Sequence, residues 1–324
     1  MSMNRRHFLA AAGLAATGMS VGAAPPPKPK SAAPKTRVQL AIASYSYWHF
    51  REPKVSIEQV IENAAELGVA GVDVLHRQMD LPEKEPLTLE HRASLRWLKR
   101  HAFNHGVALV CLSTHQTFVN PDPAVVAANV AHTHKCIEIC AELGIPAMRI
   151  NTGRWGTTKD FDELMQQHGI EPVLPGFSEE DGFKWCEDGI RACLAKAAEC
   201  GVTLALENHW GLARTADGLL RLVNALNSPW LGVLMDTGNF LTAPYKQADY
   251  EQLARIAPKA IYVQAKTYPG GGEWYSLEID YHRIARILSV ANYGGWVALE
   301  MEGKAPADQA VRRSIRLLRA AFGG

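Results

Sequence analysis

Short apolar runs alternate with longer amphipathic stretches along almost the whole chain. Residues 38–43 (Val38-Gln39-Leu40-Ala41-Ile42-Ala43) read as a first strand, and further runs of the same kind follow at 71–75, 107–112, 147–151, 204–207, 231–236, 261–264 and 296–300. Between them the apolar positions recur at helical spacing, with start and stop signals at the ends. Ser56 caps a helix that runs to Leu67 and stops at Gly68, the next spans 88–105 and stops at Gly106, and a long one over 121–143 stops at Gly144. The spacing predicts later helices over 183–200, 215–226, 250–257, 281–291 and 306–322.

Alternating strand and helix implies a parallel sheet with helices on its outside, and eight such units close into a (β/α)8 TIM barrel. In these barrels the C-terminal ends of the strands form the active face. One connection stands out. Residues 152–182, rich in Gly and Pro, leave the fourth strand on that face, and a link of this length inside a compact domain is either functional or mobile. A lid over the mouth and a disordered insertion are the two readings.

Residues 1–24 do not belong to this pattern. Arg5-Arg6 precede an Ala-rich run and the small residues Gly22, Ala23 and Ala24, the order of a twin-arginine export signal with its cleavage site. A Pro-rich linker follows over 25–36, so the barrel occupies 37–324. This order implies an exported, periplasmic or otherwise extracytoplasmic protein. The remaining length suits a single barrel of ~250 residues plus insertions. With 47% hydrophobic residues the chain can build a sizeable core, and a net charge of +1 gives no pull toward nucleic acid or anionic membrane. Five of the six cysteines fall at helical spacings and no C-x-x-C pair exists, which marks them as buried small hydrophobes rather than a disulfide framework.

Candidate chemistry sits where strands end. Four late strands finish at Glu207, Asp236, Gln264 and Glu300, a set of oxygen donors that suits a hard divalent cation, Mg²⁺ or Mn²⁺ ahead of Zn²⁺. The competing reading of any one of them is a salt bridge with Arg149 or Lys266. Glu207 and His209, Gln264 and Lys266, and Glu300 and Glu302 are each two apart, so both members of a pair lean into the barrel if the first does. Lys266 suits an oxyanion donor and His209 a hydrogen-bond donor, acid or base. His76, His115, Arg149, Asn151 and Asn239 lie at other strand exits and are the candidate substrate contacts. Trp48, Trp155, Trp210 and Trp274 fall in the loops of the same face, where an aromatic ring either stacks on a sugar or anchors its loop.

These residues carry a resemblance. Ser44-Tyr45-Ser46, Glu66-Leu67-Gly68-Val69-Ala70-Gly71-Val72, Ala141-Glu142-Leu143-Gly144, Leu206-Glu207-Asn208-His209-Trp210-Gly211, Met235-Asp236-Thr237-Gly238-Asn239-Phe240, Val263-Gln264-Ala265-Lys266 and Ala298-Leu299-Glu300-Met301-Glu302-Gly303 resemble the sugar phosphate isomerase/epimerase group, with its xylose isomerase-like TIM barrel related to endonuclease IV. The resemblance runs from about residue 40 to 322. It implies a metal held by Glu207, Asp236, Gln264 and Glu300, with Glu207 and Glu300 exchanging protons with a substrate carbon. Gln264 stands where the ketose 3-epimerases of the group have His, and Asn239 where they often have a substrate-contacting His. The first departure leaves the metal open between Mn²⁺ or Mg²⁺ and Zn²⁺ or Co²⁺.

The expected activity is therefore isomerisation or epimerisation of a sugar or sugar derivative by proton abstraction next to a carbonyl. Two alternatives use the same barrel: a lyase that cleaves 3-oxidised glycosides by elimination, and a sugar-binding barrel without catalysis. A nuclease of the endonuclease IV type would want a His-rich multi-zinc site and a basic groove, and the near-neutral charge, the few well-placed histidines and the export signal argue against it. The expected partner is a small carbohydrate, with no nucleic acid and no membrane; barrels that this chain resembles often form dimers or tetramers, which leaves a homo-oligomer open.

Overall fold

The computed structural model describes residues 38–83 and 85–323. The export signal and linker read from the first 36 residues lie outside that range. The described chain alternates β1 (Gln39–Ala43), α1 (Ile57–Glu66), β2 (Gly71–Leu75), α2 (Leu89–Asn104), β3 (Ala108–Ser113), α3 (Pro123–Leu143), β4 (Ala147–Ile150), α4 (Phe161–Gln166), α5 (Glu179–Cys200), β5 (Thr203–Glu207), α6 (Ala216–Leu226), β6 (Leu231–Asp236), α7 (Tyr250–Ile256), β7 (Ala260–Thr267), α8 (Tyr281–Val290), β8 (Trp296–Met301) and α9 (Ala307–Phe322). The strands pair in sequence order, all parallel, and β8 closes on β1, so the sheet is a TIM barrel without an open edge.

Local chemistry explains where the helices start. Ser56 Oγ accepts from Gln59 N at 3.2 Å to begin α1, and Asp122 Oδ1 accepts from Ala124 N at 2.8 Å to begin α3. Helix α5 starts one turn before the expected position 183, because Ser178 and Asp181 form a capping box over its first turn. The connection from 152 is ordered, with α4 inside it. The Glu171 carboxylate is its internal anchor, taking hydrogen bonds from Arg154 Nη1 (2.9 Å), Thr158 Oγ1 (2.8 Å) and Gly156 N (3.2 Å). Strand β7 also runs on past Gln264 to Thr267, because Lys266 and Thr267 pair with Glu300 and Met301 of β8.

The strands alternate as their sequence does. Leu204, Leu206, Val263, Val297 and Leu299 face outward into the layer between sheet and helices, where most of the core lies. Ala205, Leu234, Tyr262 and Ala298 face inward and fill the lower part of the barrel with Ala41, Val110 and Cys111. One inward step further along each strand comes a polar residue: Glu207, Asp236, Gln264 and Glu300. The period of two thus delivers the site at one level above an apolar plug. All six cysteines are free thiols, five of them buried. Among the described residues no helix is long and apolar enough to cross a membrane.

Candidate active site

The polar layer opens into a cavity of about 620 Å³, a size suited to a small ligand. Glu207, His209, Gln264, Lys266, Glu300 and Glu302 all line it, as the spacing of two within each pair predicts. Arg149, Asn151 and His115 line it too. Trp210, Trp274 and Tyr275 form part of its wall. The connection after β4 contributes Arg154, Phe161 and Met165 and covers one side. It is tied across the mouth to the loop after β7, where Phe161 packs edge-on to Trp274 at 4.7 Å and the Trp274 indole donates to Asp162 Oδ1 at 2.8 Å.

Two cations organise the carboxylates. Arg149 Nη1 lies 3.5 Å from Glu207 Oε2 and 4.0 Å from Glu300 Oε1. Lys266 Nζ lies 3.3 Å from Glu300 Oε2, 3.8 Å from Asp236 Oδ2 and 2.5 Å from Glu302 Oε1. Glu207 is held from two further sides, accepting from Asn151 Nδ2 at 2.7 Å and from Asn239 Nδ2 at 3.1 Å. Asp236 is held by its backbone: Asn208 takes the Asp236 N–H on Oδ1 (2.7 Å) and donates Nδ2 to the Asp236 carbonyl (2.9 Å). Asp236 Oδ1 accepts from Gly238 N at 2.7 Å.

Burial and charge pull the two cavity glutamates in opposite directions. Burial raises the pKa of Glu207, with Arg149 only partly offsetting it and Glu300 adding to it. For Glu300 burial acts the same way, but Lys266 and Arg149 together overcome it, and its pKa falls below the usual value. Asp236 is pushed well up by burial and by Glu300 and Glu207, with Lys266 only partly offsetting them. Burial alone would lower the pKa of Lys266, yet Asp236, Glu300 and Glu302 raise it well above the ordinary lysine value. His209 and His115 are held neutral, first by burial and then by Arg149.

Two expectations change. The four side chains expected to converge on one ion are not all drawn together. Asp236 and Glu300 meet within hydrogen-bonding reach. No choice of one oxygen each from Glu207, Asp236 and Glu300 places all three within 4.8 Å, because Arg149, Asn151 and Asn239 hold Glu207 to one side. Gln264 turns its amide nitrogen to Asp73 Oδ2 (3.0 Å) and Ser113 Oγ (3.4 Å). The second change is His76. It lies outside the cavity wall and packs against His132 of α3 at 5.3 Å, its imidazole pushed down to about 4 by burial. The short 3-10 turn His76–Gln78 after β2 breaks the alternation and turns the ring outward. Asp236 and Asn239 likewise do not line the cavity but lie just behind it, Asn239 bound to Glu207. Of the loop tryptophans, Trp48 and Trp155 anchor their loops, against Phe50 and Trp185 respectively.

The donor chemistry nevertheless fits a hard cation. Gln264 Oε1, Asn151 Oδ1 and Asn239 Oδ1 are buried acceptors with no hydrogen-bond donor. Asp73, Glu207, Asp236, Glu300 and Glu302 also outnumber Arg149 and Lys266. Several members of the site were not singled out from the sequence. Asp73, raised to about 6 by burial, lines the cavity floor with Ser113, which donates to it at 2.8 Å. Tyr45 and His49 line the β1 side. A carboxylate inside the apolar run Gly71–Leu75 was the available signal for Asp73; Asn208 had none beyond its place beside Glu207.

Among solved structures, the chain is similar to a D-psicose 3-epimerase determined in the presence of D-fructose, at 19% identity over 89% of this chain and 100% of that one, with a TM-score of 0.66. The D-psicose 3-epimerase of Clostridium cellulolyticum H10 with D-tagatose matches at 14% identity over 88% of this chain and 99% of that one, TM-score 0.67. The apo 3-keto-D-glucoside 4-epimerase from E. coli matches at 16% identity over 88% of this chain and 100% of that one, TM-score 0.66. At such identities the likeness is one of fold. No curated protein sequence matches the chain. Residues 61–321, however, match the xylose isomerase-like TIM barrel family, from the first helix through the last, and the chain belongs to that family.

Proposed function

We propose that this protein is a sugar isomerase or epimerase that moves a proton at a carbon next to a carbonyl. The observation that carries this reading is the pair Glu207 and Glu300. Both line one cavity, and their surroundings shift them apart, Glu207 toward the protonated form and Glu300 toward the ionised one. Two carboxyls separated in this way divide into an acid and a base.

In this reading Glu300 takes the proton from the substrate carbon, leaving an enediolate. Lys266 and Arg149, whose charges the neighbouring carboxylates secure against the effect of burial, donate to the oxygen on which negative charge develops. Glu207, held by Asn151 and Asn239, delivers its proton to the carbon from its own side of the cavity. The cycle ends with Glu300 protonated and Glu207 ionised, and exchange with solvent restores both. Asp236 and Glu300, with Gln264 and Glu207 as further oxygen donors, are the residues that would hold a divalent cation, which supplies Lewis-acid polarisation of the carbonyl when bound. In this reading His209 contacts substrate hydroxyls, and Trp210 and Trp274, which line the same cavity, take an apolar sugar face. Sugar epimerases among the solved structures of similar fold support the substrate class.

The test is incubation with a panel of ketoses and 3-keto glycosides in D₂O, followed by mass spectrometry and NMR. Epimerisation or isomerisation with solvent deuterium at one carbon is the expected result, and Glu300→Gln should abolish it. Release of an aglycone would move the assignment to elimination. Saturable binding without deuterium uptake across the panel would reduce the protein to a sugar-binding barrel.

A further inference from the structure

A second constellation lies behind the barrel wall, where the 3-10 turn after β2 packs on α3. His76, His132 and Cys136 each offer a ligand atom there, and the three atoms lie within 4.8 Å of one another. His132 and Cys136 are four residues apart on α3, so one helical turn stacks them on a single face. The His132 Nε2 to Cys136 Sγ distance is 3.5 Å. The other nitrogen of His132, Nδ1, sits 3.1 Å from the Glu83 carbonyl oxygen. An Nδ1–H donated to a carbonyl fixes the tautomer and leaves the Nε2 lone pair facing the thiol, the outer-shell arrangement of metal-binding histidines. His76 is only 2% exposed, and its Nε2 is buried without a partner.

We propose that His76, His132 and Cys136 bind a borderline-soft divalent cation of the zinc class. Two imidazoles and a thiolate are the donors Zn²⁺ prefers, in contrast to the oxygen donors of the barrel mouth. Binding breaks the Cys136 S–H bond, forms a metal–sulfur bond and releases the proton to solvent, with no change of oxidation state. Half-buried His132 marks the side on which water completes a tetrahedral shell. The nearby Lys135 ammonium is turned away onto the carbonyl oxygens of Pro82, Glu83 and Glu85, which leaves the three ligands facing one another. The ion would tie the β2 exit to α3. Leu75 and Arg77, the neighbours of His76, line the cavity, so the same ion would steady that part of the rim.

The site is independent of the chemistry at the mouth, and its signature is sulfur. The metal-free full-length protein is titrated with Co²⁺ while near-ultraviolet absorption is followed, and Zn²⁺ is then added. A thiolate-to-cobalt charge-transfer band that Zn²⁺ displaces is expected, together with a rise in Tm on Zn²⁺ addition. Cys136→Ser and His76→Asn should lose the band, whereas Glu300→Gln should keep it. His132→Gln changes a half-buried residue and serves if the buried variants do not fold. Absence of the band in the folded wild type, or its survival in Cys136→Ser or His132→Gln, overturns the proposal.

Discussion

Replacing Lys266 with methionine keeps most of the side-chain volume and removes the charge that three carboxylates share. Lys266 Nζ has Glu300, Asp236 and Glu302 at 3.3, 3.8 and 2.5 Å, and the side chain is 5% exposed. Removing one partner of a buried ionic set costs about 3–5 kcal/mol, because the remaining charges have neither water nor a counter-ion. With an unfolding entropy of about 2.1 cal/mol/K per residue, a barrel of roughly 290 residues loses about 0.6 kcal/mol of stability per degree, so Tm should fall by about 5–8 °C. The effect should depend on pH in a defined direction. In the variant the freed carboxyls have folded pKa values above their unfolded ones, so their penalty is full above the folded value and shrinks as pH falls toward the unfolded one. Lys266 itself, with its pKa raised, contributes fully below the unfolded lysine value of about 10.4 and loses its contribution only at more alkaline pH. The gap between wild type and Lys266→Met should therefore be widest near pH 7 and narrower near pH 5. Differential scanning calorimetry of both proteins at the two pH values reads this directly. A Tm loss under about 2 °C, or one equal at both pH values, would refute the claim that one ammonium holds these carboxylates together.

Asn208→Leu removes both hydrogen bonds that clamp the Asp236 peptide, leaving a buried N–H and C=O unpaired. At about 1–3 kcal/mol for each group, the loss should be about 2–6 kcal/mol, seen as a lowered Tm together with reduced turnover. Gly211→Ala should destabilise by at least about 2 kcal/mol in thermal melts, since φ is +80° and a Cβ would lie 2.0 Å from the Gly153 carbonyl oxygen. The pH–rate profile should reflect carboxyls alone. Activity should persist to acid pH until Glu300 protonates below the usual glutamate value, and should fall on the alkaline side as Glu207 loses its proton. A limb near pH 6.5 that vanishes in His209→Asn would contradict the neutral ring that burial and Arg149 impose on His209.

The barrel and the level of its polar layer were legible because they follow from a local period. A strand written Trp296-Val297-Ala298-Leu299-Glu300 can present Trp296, Ala298 and Glu300 only to the same side, and β5 through β7 repeat the argument. The partnerships within that layer depend on register and on distance across the barrel. Lys266 is set beside Glu300 by the pairing of β7 with β8, while Arg149 reaches Glu300 from β4 on the far side. Neither relation is written in the spacing of either strand. Strand exits are legible only while the chain stays extended. Asn151 and His209 remain in phase and line the cavity, whereas the turn starting at His76 breaks the phase and sends its ring to α3. The same loss of phase that removes His76 from the mouth places it beside His132 and Cys136. Cys136 reads from the sequence as a buried small hydrophobe, and nothing in the spacing on α3 announces the nitrogen that arrives from outside the helix.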